Sequence, residues 1–218
     1  MKHYFAVLVL VALSFSLGLS ALAHQPRYIK DENIVLIENP EISQAFYGEL
    51  KDRPAYYLID LKEAQDLFFQ ILEPALPGIN KDKLVTIDYV SELGKTPENF
   101  LKIDSKDAVW KGFYEEYGGD NYLEGPTGRR SGSSGYYFIE VSSPDNTGKY
   151  VLVVGEKEEF SAKEVVKALV VIPQLKTQFF NKPAWRSFEG RIGQYSGLGL
   201  VILLIVIYLF YKFHQVYK

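Results

Sequence analysis

The chain has 218 residues, of which 47% are apolar, with 24 basic and 27 acidic side chains. This length predicts one domain with appendages. Cysteine is absent and only three histidines occur, His3, His24 and His214, so the sequence excludes a disulfide framework, a thiolate metal site and a cysteine nucleophile.

Residues 1–23 have the pattern of a secretory signal peptide. Lys2 gives a basic start, residues 5–19 are nearly all apolar, and Ala21-Leu22-Ala23 supplies the small-x-small site that a signal peptidase recognises. The apolar run is short for a membrane span. We therefore expect cleavage after Ala23, and the alternatives are an uncleaved anchor or a buried core helix.

Residues 24–160 are predicted to form an extracytoplasmic antiparallel β-sandwich, so the fold class is mainly β. Short segments rich in β-branched and aromatic residues alternate with turn formers, and no helical period intervenes before Phe160. That spacing favours a sandwich over βαβ units. About eight strands are predicted, at residues 34–37, 45–50, 56–61, 66–72, 83–89, 107–113, 135–141 and 149–155.

The acidic loop, residues 114–124, carries the candidate site residues. Its carboxylates are interleaved with two glycines and with tyrosines, and hard cations such as calcium take six to eight oxygen ligands from such groups. We predict Glu115, Glu116, Asp120 and Glu124 as the ligands of a possible calcium ion, and no other cofactor. The spacing is not that of an EF-hand loop, so a solvated acidic loop is the alternative.

The tyrosines of the acidic loop, Tyr114, Tyr117 and Tyr122, are the predicted ligand-binding residues. Aromatic side chains beside carboxylates suit a glycan or a peptide. Carboxylates flanked by aromatic side chains also occur in glycosidase clefts, but the sequence has no recognisable catalytic spacing. Non-catalytic binding of a glycan or a peptide is therefore the preferred interpretation.

The segment Gly132-Ser133-Ser134-Gly135 superficially looks like a serine nucleophile loop. A serine hydrolase of the usual type needs a histidine within hydrogen-bond reach, and the predicted exported domain has only His24. We predict a flexible loop here, no catalytic residue in the chain and no enzymatic activity.

Residues 135–155 predict a hairpin and carry a resemblance to a known family. The segments 136–141 and 150–154 flank the polar loop Ser142-Ser143-Pro144-Asp145-Asn146-Thr147-Gly148. This hairpin resembles the closing hairpin of bacterial pre-peptidase C-terminal type jelly-roll modules, and residues 56–61 and 66–72 are similar to their opening strands. The resemblance covers residues 40–155 and implies a jelly-roll-like sandwich that serves as an accessory binding or stabilising domain. Such modules are usually attached to secreted enzymes, whereas here no protease domain is present.

Residues 161–191 are predicted to form a short helical stalk. Ser161 followed by Glu164 is a capping box, and we expect the helix to run to about Val171 because Pro173 disfavours helical geometry in the residue before it. Trp185 and Phe188 then act as anchors near the membrane face. A helix packed back onto the sandwich is the alternative.

Residues 192–211 predict a transmembrane helix, followed by a cytoplasmic tail at 212–218. The segment has twenty residues without charge, which at 1.5 Å per residue span about 30 Å. The signal peptide sets the orientation, with the N-terminal domain outside the plasma membrane and the tail in the cytoplasm.

The formal charge of the predicted exterior part limits the classes of ligand that it can bind. Residues 24–191 contain 21 basic and 27 acidic side chains, a formal charge of −6, which opposes nucleic-acid binding. The absence of cysteine and of any N-x-[ST] acceptor favours a prokaryotic envelope.

The sequence therefore predicts a single-pass, membrane-anchored binding or scaffolding module without catalytic activity. Its predicted partners are membrane lipid and another envelope protein or a glycan. Two alternatives stay open. One is an accessory subunit assembled through the helix, where Gly193 and Gly197 have small-xxx-small spacing. The other is a carboxylate-dependent, glycan-active enzyme.

Overall fold

The computed structural model describes residues 24–30 and 33–216. The predicted signal peptide and the last two residues of the predicted tail lie outside the described residues. In the described part, eleven strands are present: β1 (Gln25–Tyr28), β2 (Val35–Leu36), β3 (Gln44–Lys51), β4 (Ala55–Leu61), β5 (Gln65–Pro74), β6 (Leu84–Val90), β7 (Glu98–Asp104), β8 (Lys111–Glu115), β9 (Asp120–Gly132), β10 (Gly135–Ser142) and β11 (Thr147–Val154).

The strands form two sheets that confirm the predicted sandwich. The six-stranded sheet has the order β1-β3-β11-β5-β9-β8, and the five-stranded sheet has the order β2-β4-β10-β6-β7. Pairing is antiparallel except for the short edge strands β1 and β2, which run parallel to β3 and β4. The predicted closing hairpin is wrong: its two strands are present as β10 and β11, but they lie in different sheets and do not pair, so the polar loop crosses between the sheets.

The main core fills the space between the sheets. Alternate residues of each strand point into it because successive side chains of a strand face opposite ways. The hydroxyl groups of Tyr57 and Tyr150, from opposite sheets, form a hydrogen bond of 2.8 Å within this core. The six-stranded sheet contributes Phe46, Leu67, Phe69, Ile71 and Leu152, and the five-stranded sheet contributes Ile59, Val85, Ile87, Tyr137 and Ile139.

A second core covers the outer face of the six-stranded sheet. Helix α1 (Ala162–Gln174) continues into a π-helical turn (Leu175–Phe179), and Leu175, Phe179 and Phe180 pack on Tyr47, Val151 and Val153. Strand β11 is therefore buried on both faces. This explains its continuous apolar run, which departs from the alternation of a half-exposed strand.

The segment after the sandwich is helical as predicted, but its end and its packing differ from the prediction. Ser161 caps α1 by accepting the Glu164 backbone N–H at 3.3 Å. The helix passes through Pro173 to Gln174 instead of ending near Val171, because Ile172 and Leu175, on either side of the proline, are buried. Helix α1 and the π-helical turn pack on the sandwich, which was the predicted alternative to a stalk near the membrane face.

A 3₁₀ helix (Ala184–Glu189) connects this layer to helix α2 (Arg191–Val216). Within the described residues, the stretch Arg191–Leu209 is the one helix long and apolar enough to cross a membrane, with a mean hydropathy of 2.1. Only 17% of it is buried inside the chain, unlike the core helix of a soluble protein. The predicted apolar helix is thus present as a candidate membrane span.

Candidate functional site

The acidic loop folds as the tip of the β8–β9 hairpin. Glu115 and Asp120 form the last strand pair, so residues 116–119 make a tight turn. The Glu115 carboxylate accepts the backbone N–H groups of Tyr117 at 2.8 Å and Gly118 at 2.6 Å. Gly119 closes the turn with a φ of 76°, which favours glycine. The glycines therefore shape a hairpin turn around one carboxylate.

Two of the three predicted ligand-binding tyrosines are buried in this fold. Tyr122 is 3% exposed, and its hydroxyl lies 2.9 Å from that of Tyr47 in the second core. Burial raises the pKa of both phenols above the ordinary value of tyrosine. Tyr117 packs against Ala168 and Ile172 of α1. Only Tyr114, which is 48% exposed, presents its ring to solvent.

Asp120 is the centre of an ion cluster that the sequence analysis did not find. Its two carboxylate oxygens accept hydrogen bonds from Lys176 at 2.7 Å and Lys182 at 2.8 Å. Lys176 is buried and also donates to the Gly119 carbonyl at 2.9 Å. Burial lowers the pKa of Lys176, and the hydrogen bond to Asp120 opposes that shift. The hairpin tip is thereby bound to the segment that follows α1.

The hairpin tip also caps the N-terminus of the apolar helix α2. The backbone N–H of Arg191 donates to the Glu116 carbonyl at 2.9 Å, and that of Ile192 donates to the Tyr117 carbonyl at 3.2 Å. These are two of the N–H groups that a helix leaves without an internal partner. The Arg191 side chain pairs with the Glu116 carboxylate and lies over the Tyr117 ring, 5.8 Å from its centroid.

Close backbone contact completes this junction. A Cβ on Gly119 would lie 2.7 Å from the Gly190 nitrogen, and a Cβ on Gly190 would collide with the Tyr117 carbonyl oxygen. We call this set of contacts the anchor junction: the hairpin tip, residues 116–120, against Lys176, Lys182 and residues 190–192. It holds the sandwich directly against the start of α2.

The four predicted calcium ligands do not converge. Glu115 is bound to its own turn and Asp120 to two lysines, while Glu116 pairs with Arg191. Glu124 lies further along β9, opposite Lys111. In the part of the chain that the structure describes, no three His, Cys, Asp or Glu side chains are grouped to hold a metal ion. Calcium binding stays a prediction of the sequence, and the geometry gives it no support.

A small cavity with both polar and apolar walls lies under the hairpin tip. Its volume is about 20 Å³ and its walls include His24, Tyr47, Glu115, Asp120 and Tyr122. A cavity of that size accommodates about one water molecule. Burial raises the pKa of Glu115 and lowers that of His24, whose Nδ1 lies 2.5 Å from Ser43 Oγ. This space suits a structural water and is too small for a substrate.

The serine loop is a short turn between β9 and β10. The Ser133 carbonyl accepts the Tyr137 hydroxyl at 2.7 Å, and the Ser134 carbonyl accepts the Tyr89 hydroxyl at 2.9 Å. Hydrogen bonds from two tyrosine hydroxyls therefore fix the backbone of this loop. These contacts give it a structural role.

A groove lies at the other end of α1. Its volume is about 810 Å³, and it lies between α1 and the edge strands β1 and β2. Leu36 of β2 and Val166 and Val170 of α1 line it and are each more than half exposed. Arg27 on its floor is paired with Glu164 at 2.8 Å. Sequence analysis missed this groove because its walls come from segments about 130 residues apart.

Comparison with known proteins gives fold-level similarities. No family model matches the chain, and no curated protein matches it. Among solved structures, the chain is similar to the pre-peptidase C-terminal domain of a collagenase from Bacillus anthracis, with 13% identity, a TM-score of 0.33, and coverage of 62% of this chain and 98% of that chain. It is also similar to a surface-associated copper-binding protein of Methylomicrobium album BG8, with 7% identity, a TM-score of 0.29, and coverage of 56% and 98%.

The first of these proteins is the kind of module that residues 40–155 resemble. The copper named for the second protein is a property of that protein.

Proposed function

We propose that the chain is a single-pass, membrane-anchored module of a prokaryotic envelope that binds or scaffolds another envelope component outside the membrane and has no catalytic activity of its own. The observation that carries this proposal is the anchor junction. The Glu116 and Tyr117 carbonyls accept the N–H groups of the first two residues of α2, and Asp120 binds Lys176 of the preceding segment, so no flexible linker separates the sandwich from α2. Such a junction is expected in a module whose sandwich is held in one orientation relative to its membrane helix.

The contacts of the acidic loop support a module without catalytic activity of its own. A hydrolase of the carboxylate type needs an acid and a base or nucleophile that face a cleft. Glu115 and Asp120 instead face their own turn and two lysines, beside a cavity of about 20 Å³. These carboxylates therefore serve the junction.

The groove between α1, β1 and β2 is the proposed contact surface for the partner. Binding sites are typically concave and apolar with a few polar groups, and the groove has these features. Leu36, Val166 and Val170 supply apolar surface there, with the Arg27–Glu164 pair between them. We propose another envelope protein or a glycan as the bound component.

The accessory-subunit alternative has less support from the geometry. Small residues favour helix pairing in a membrane when they allow a partner helix to approach closely. A Cβ on Gly193 would collide with the Ser187 carbonyl oxygen of the same chain, so the first of the two predicted close-approach positions is occupied.

Purification from native membranes with matched variants tests the proposal. We expect a specific component to co-purify with the full chain and with Val109→Asp, which changes a valine that is 83% exposed and outside the groove. Val170→Asp should lose that component while retaining the melting temperature, since Val170 is 59% exposed. Equal recovery with both variants would reject the groove. Hydrolysis of a glycan that is sensitive to Glu115→Gln would reject the non-catalytic proposal.

A further inference from the structure

The 3₁₀ helix Ala184–Glu189 folds back along the first turns of α2. The Phe188 ring lies 3.7 Å from the position that a Cβ on Gly197 would take, and the Phe188 Cα lies 2.8 Å from that position on Gly193. Gly193 and Gly197 therefore leave space on the surface of α2 for Phe188 of the same chain. Gly197 is six residues beyond Arg191, so the Phe188 ring reaches about 9 Å along the helix axis at 1.5 Å per residue.

Trp185 lies on the same face as Phe188. A 3₁₀ helix has three residues per turn, so side chains three apart are aligned. Trp185 and Phe188 are both 62% exposed, whereas Ser187 is buried and donates to the Ala184 carbonyl at 2.7 Å. Two large aromatic side chains are thus exposed together, beside the part of α2 where an apolar span begins.

The basic residues around this face are each paired with an acidic one. Arg186 lies 3.5 Å from the Glu189 carboxylate and 5.5 Å from the centroid of the Trp185 ring. Arg191 pairs with Glu116, and Lys182 pairs with Asp120. The face consequently has aromatic surface without an excess of positive charge, which favours uncharged lipid surface over an anionic ligand.

We propose that Trp185 and Phe188 form a lipid wedge, inserted among phospholipids at the headgroup and acyl boundary on the outer side of the membrane. Aromatic side chains concentrate at this boundary, and interfacial segments are buried there to a depth of about 5–10 Å, which matches the reach of Phe188 along α2. The wedge rests on the proposed membrane span of α2. It adds a second contact beside that helix, so the membrane fixes the tilt of the sandwich as well as its position.

Single-tryptophan variants of the full chain in phosphatidylcholine vesicles test the wedge. The sequence contains two tryptophans, so Trp110→Phe leaves Trp185 as the only reporter. We expect lipids brominated near the headgroup to quench its fluorescence at least about twofold more than lipids brominated near the bilayer centre, because bromine quenches at contact and the boundary lies about 5–10 Å deep. Addition of anionic lipid should leave this ratio unchanged. As the matched control, Trp185→Phe retains only Trp110, which packs against Gly125 in the sandwich and should not be quenched.

A third variant separates the wedge from the span. Leu203→Trp, made together with Trp110→Phe and Trp185→Phe, places the reporter near the middle of α2. Strong deep quenching there, with no quenching of Trp185, would overturn the wedge and leave the anchor intact. Quenching of Trp185 only when anionic lipid is present would also overturn it, since the paired charges exclude that dependence. No quenching of either reporter would overturn both the wedge and the membrane span.

Discussion

At the scale of single residues, the most unusual group is the buried carboxyl of Glu73 near the end of β5. The Lys83 ammonium lies 3.3 Å from Glu73 Oε1, and both side chains are fully buried. Lys83 donates to the Asn80 carbonyl at 2.5 Å, whereas neither Glu73 oxygen has a hydrogen-bond partner among the described residues. Burial raises the pKa of Glu73 to about 8, and Lys83 opposes part of that shift.

The raised pKa of Glu73 predicts a pH-dependent stability. The folded chain keeps this proton up to about pH 8, while the unfolded chain releases it near the ordinary value of 4.5. The stabilising contribution is therefore complete below about pH 4.5 and is lost as the pH rises to about 8. Each pKa unit corresponds to about 1.4 kcal/mol. Glu73→Gln should thus gain stability relative to the natural chain as the pH rises through this range.

Denaturant unfolding of the detergent-solubilised chain from pH 5 to 8 measures this effect. The exposed Glu63→Gln is the matched control and should keep a constant difference from the natural chain at every pH. A constant difference for Glu73→Gln as well would contradict the prediction.

Sequence reasoning identified the residue types of the hairpin tip but did not predict their neighbours in the fold. Acidic and aromatic side chains on a glycine-rich turn fit a ligand site, and Tyr114 is exposed as that interpretation needs. The cations that neutralise Asp120 lie 56 and 62 residues further along the chain. Their lysine side chains have no local pattern that predicts burial, so the junction depends on tertiary packing that the sequence pattern does not contain.

At the scale of elements, the glycines of residues 125–132 predicted a loop, but they lie in strand β9. Eight strands were predicted from apolar patterns, and β1, β7 and β9 were not among them. Strand β9 was missed because Gly125, Pro126, Gly128 and Gly132 favour a loop. In the structure, a Cβ on Gly125 would collide with the Trp110 ring at 2.6 Å, and one on Gly132 would lie 2.6 Å from the Tyr137 hydroxyl. These glycines allow close packing inside a sheet. Proline is tolerated because the register of β5 and β9 shifts there.

The anchor junction predicts a specific effect of one methyl group. Gly190→Ala places a Cβ against the Tyr117 carbonyl, so we expect a loss of about 1–3 kcal/mol in the free energy of unfolding. The matched control is Gly112→Ala on β8, where a Cβ meets nothing within 4 Å.

Hydrogen exchange locates the effect within the chain. The amides of Arg191 and Ile192, which donate to Glu116 and Tyr117, should exchange faster in Gly190→Ala than in the natural chain and in Gly112→Ala. Unchanged exchange at these two amides would show that the hairpin tip does not hold the start of α2.

At the scale of the whole molecule, the prediction concerns topology. If residues 24–190 lie outside the membrane, protease added to spheroplasts should remove the sandwich and leave a fragment that contains α2 and the tail. An epitope at the C-terminus should be cleaved only after the membrane is permeabilised. Cleavage of that epitope in sealed spheroplasts, or full protection of the sandwich, would reverse the proposed orientation.

In the proposed membrane-anchored module, the absence of a linker at the anchor junction would fix the height at which the groove stands above the bilayer. Hydrogen bonds join the hairpin tip to the first two residues of α2, so the sandwich cannot sample a range of distances as a domain on a flexible tether does. For a partner in the same membrane, the effective concentration then depends on whether its own binding surface stands at that height. A partner whose surface stands at a different height would then bind more weakly than its intrinsic affinity allows. Under the proposed function, the hairpin tip would thereby influence which partners bind, from outside the proposed contact surface.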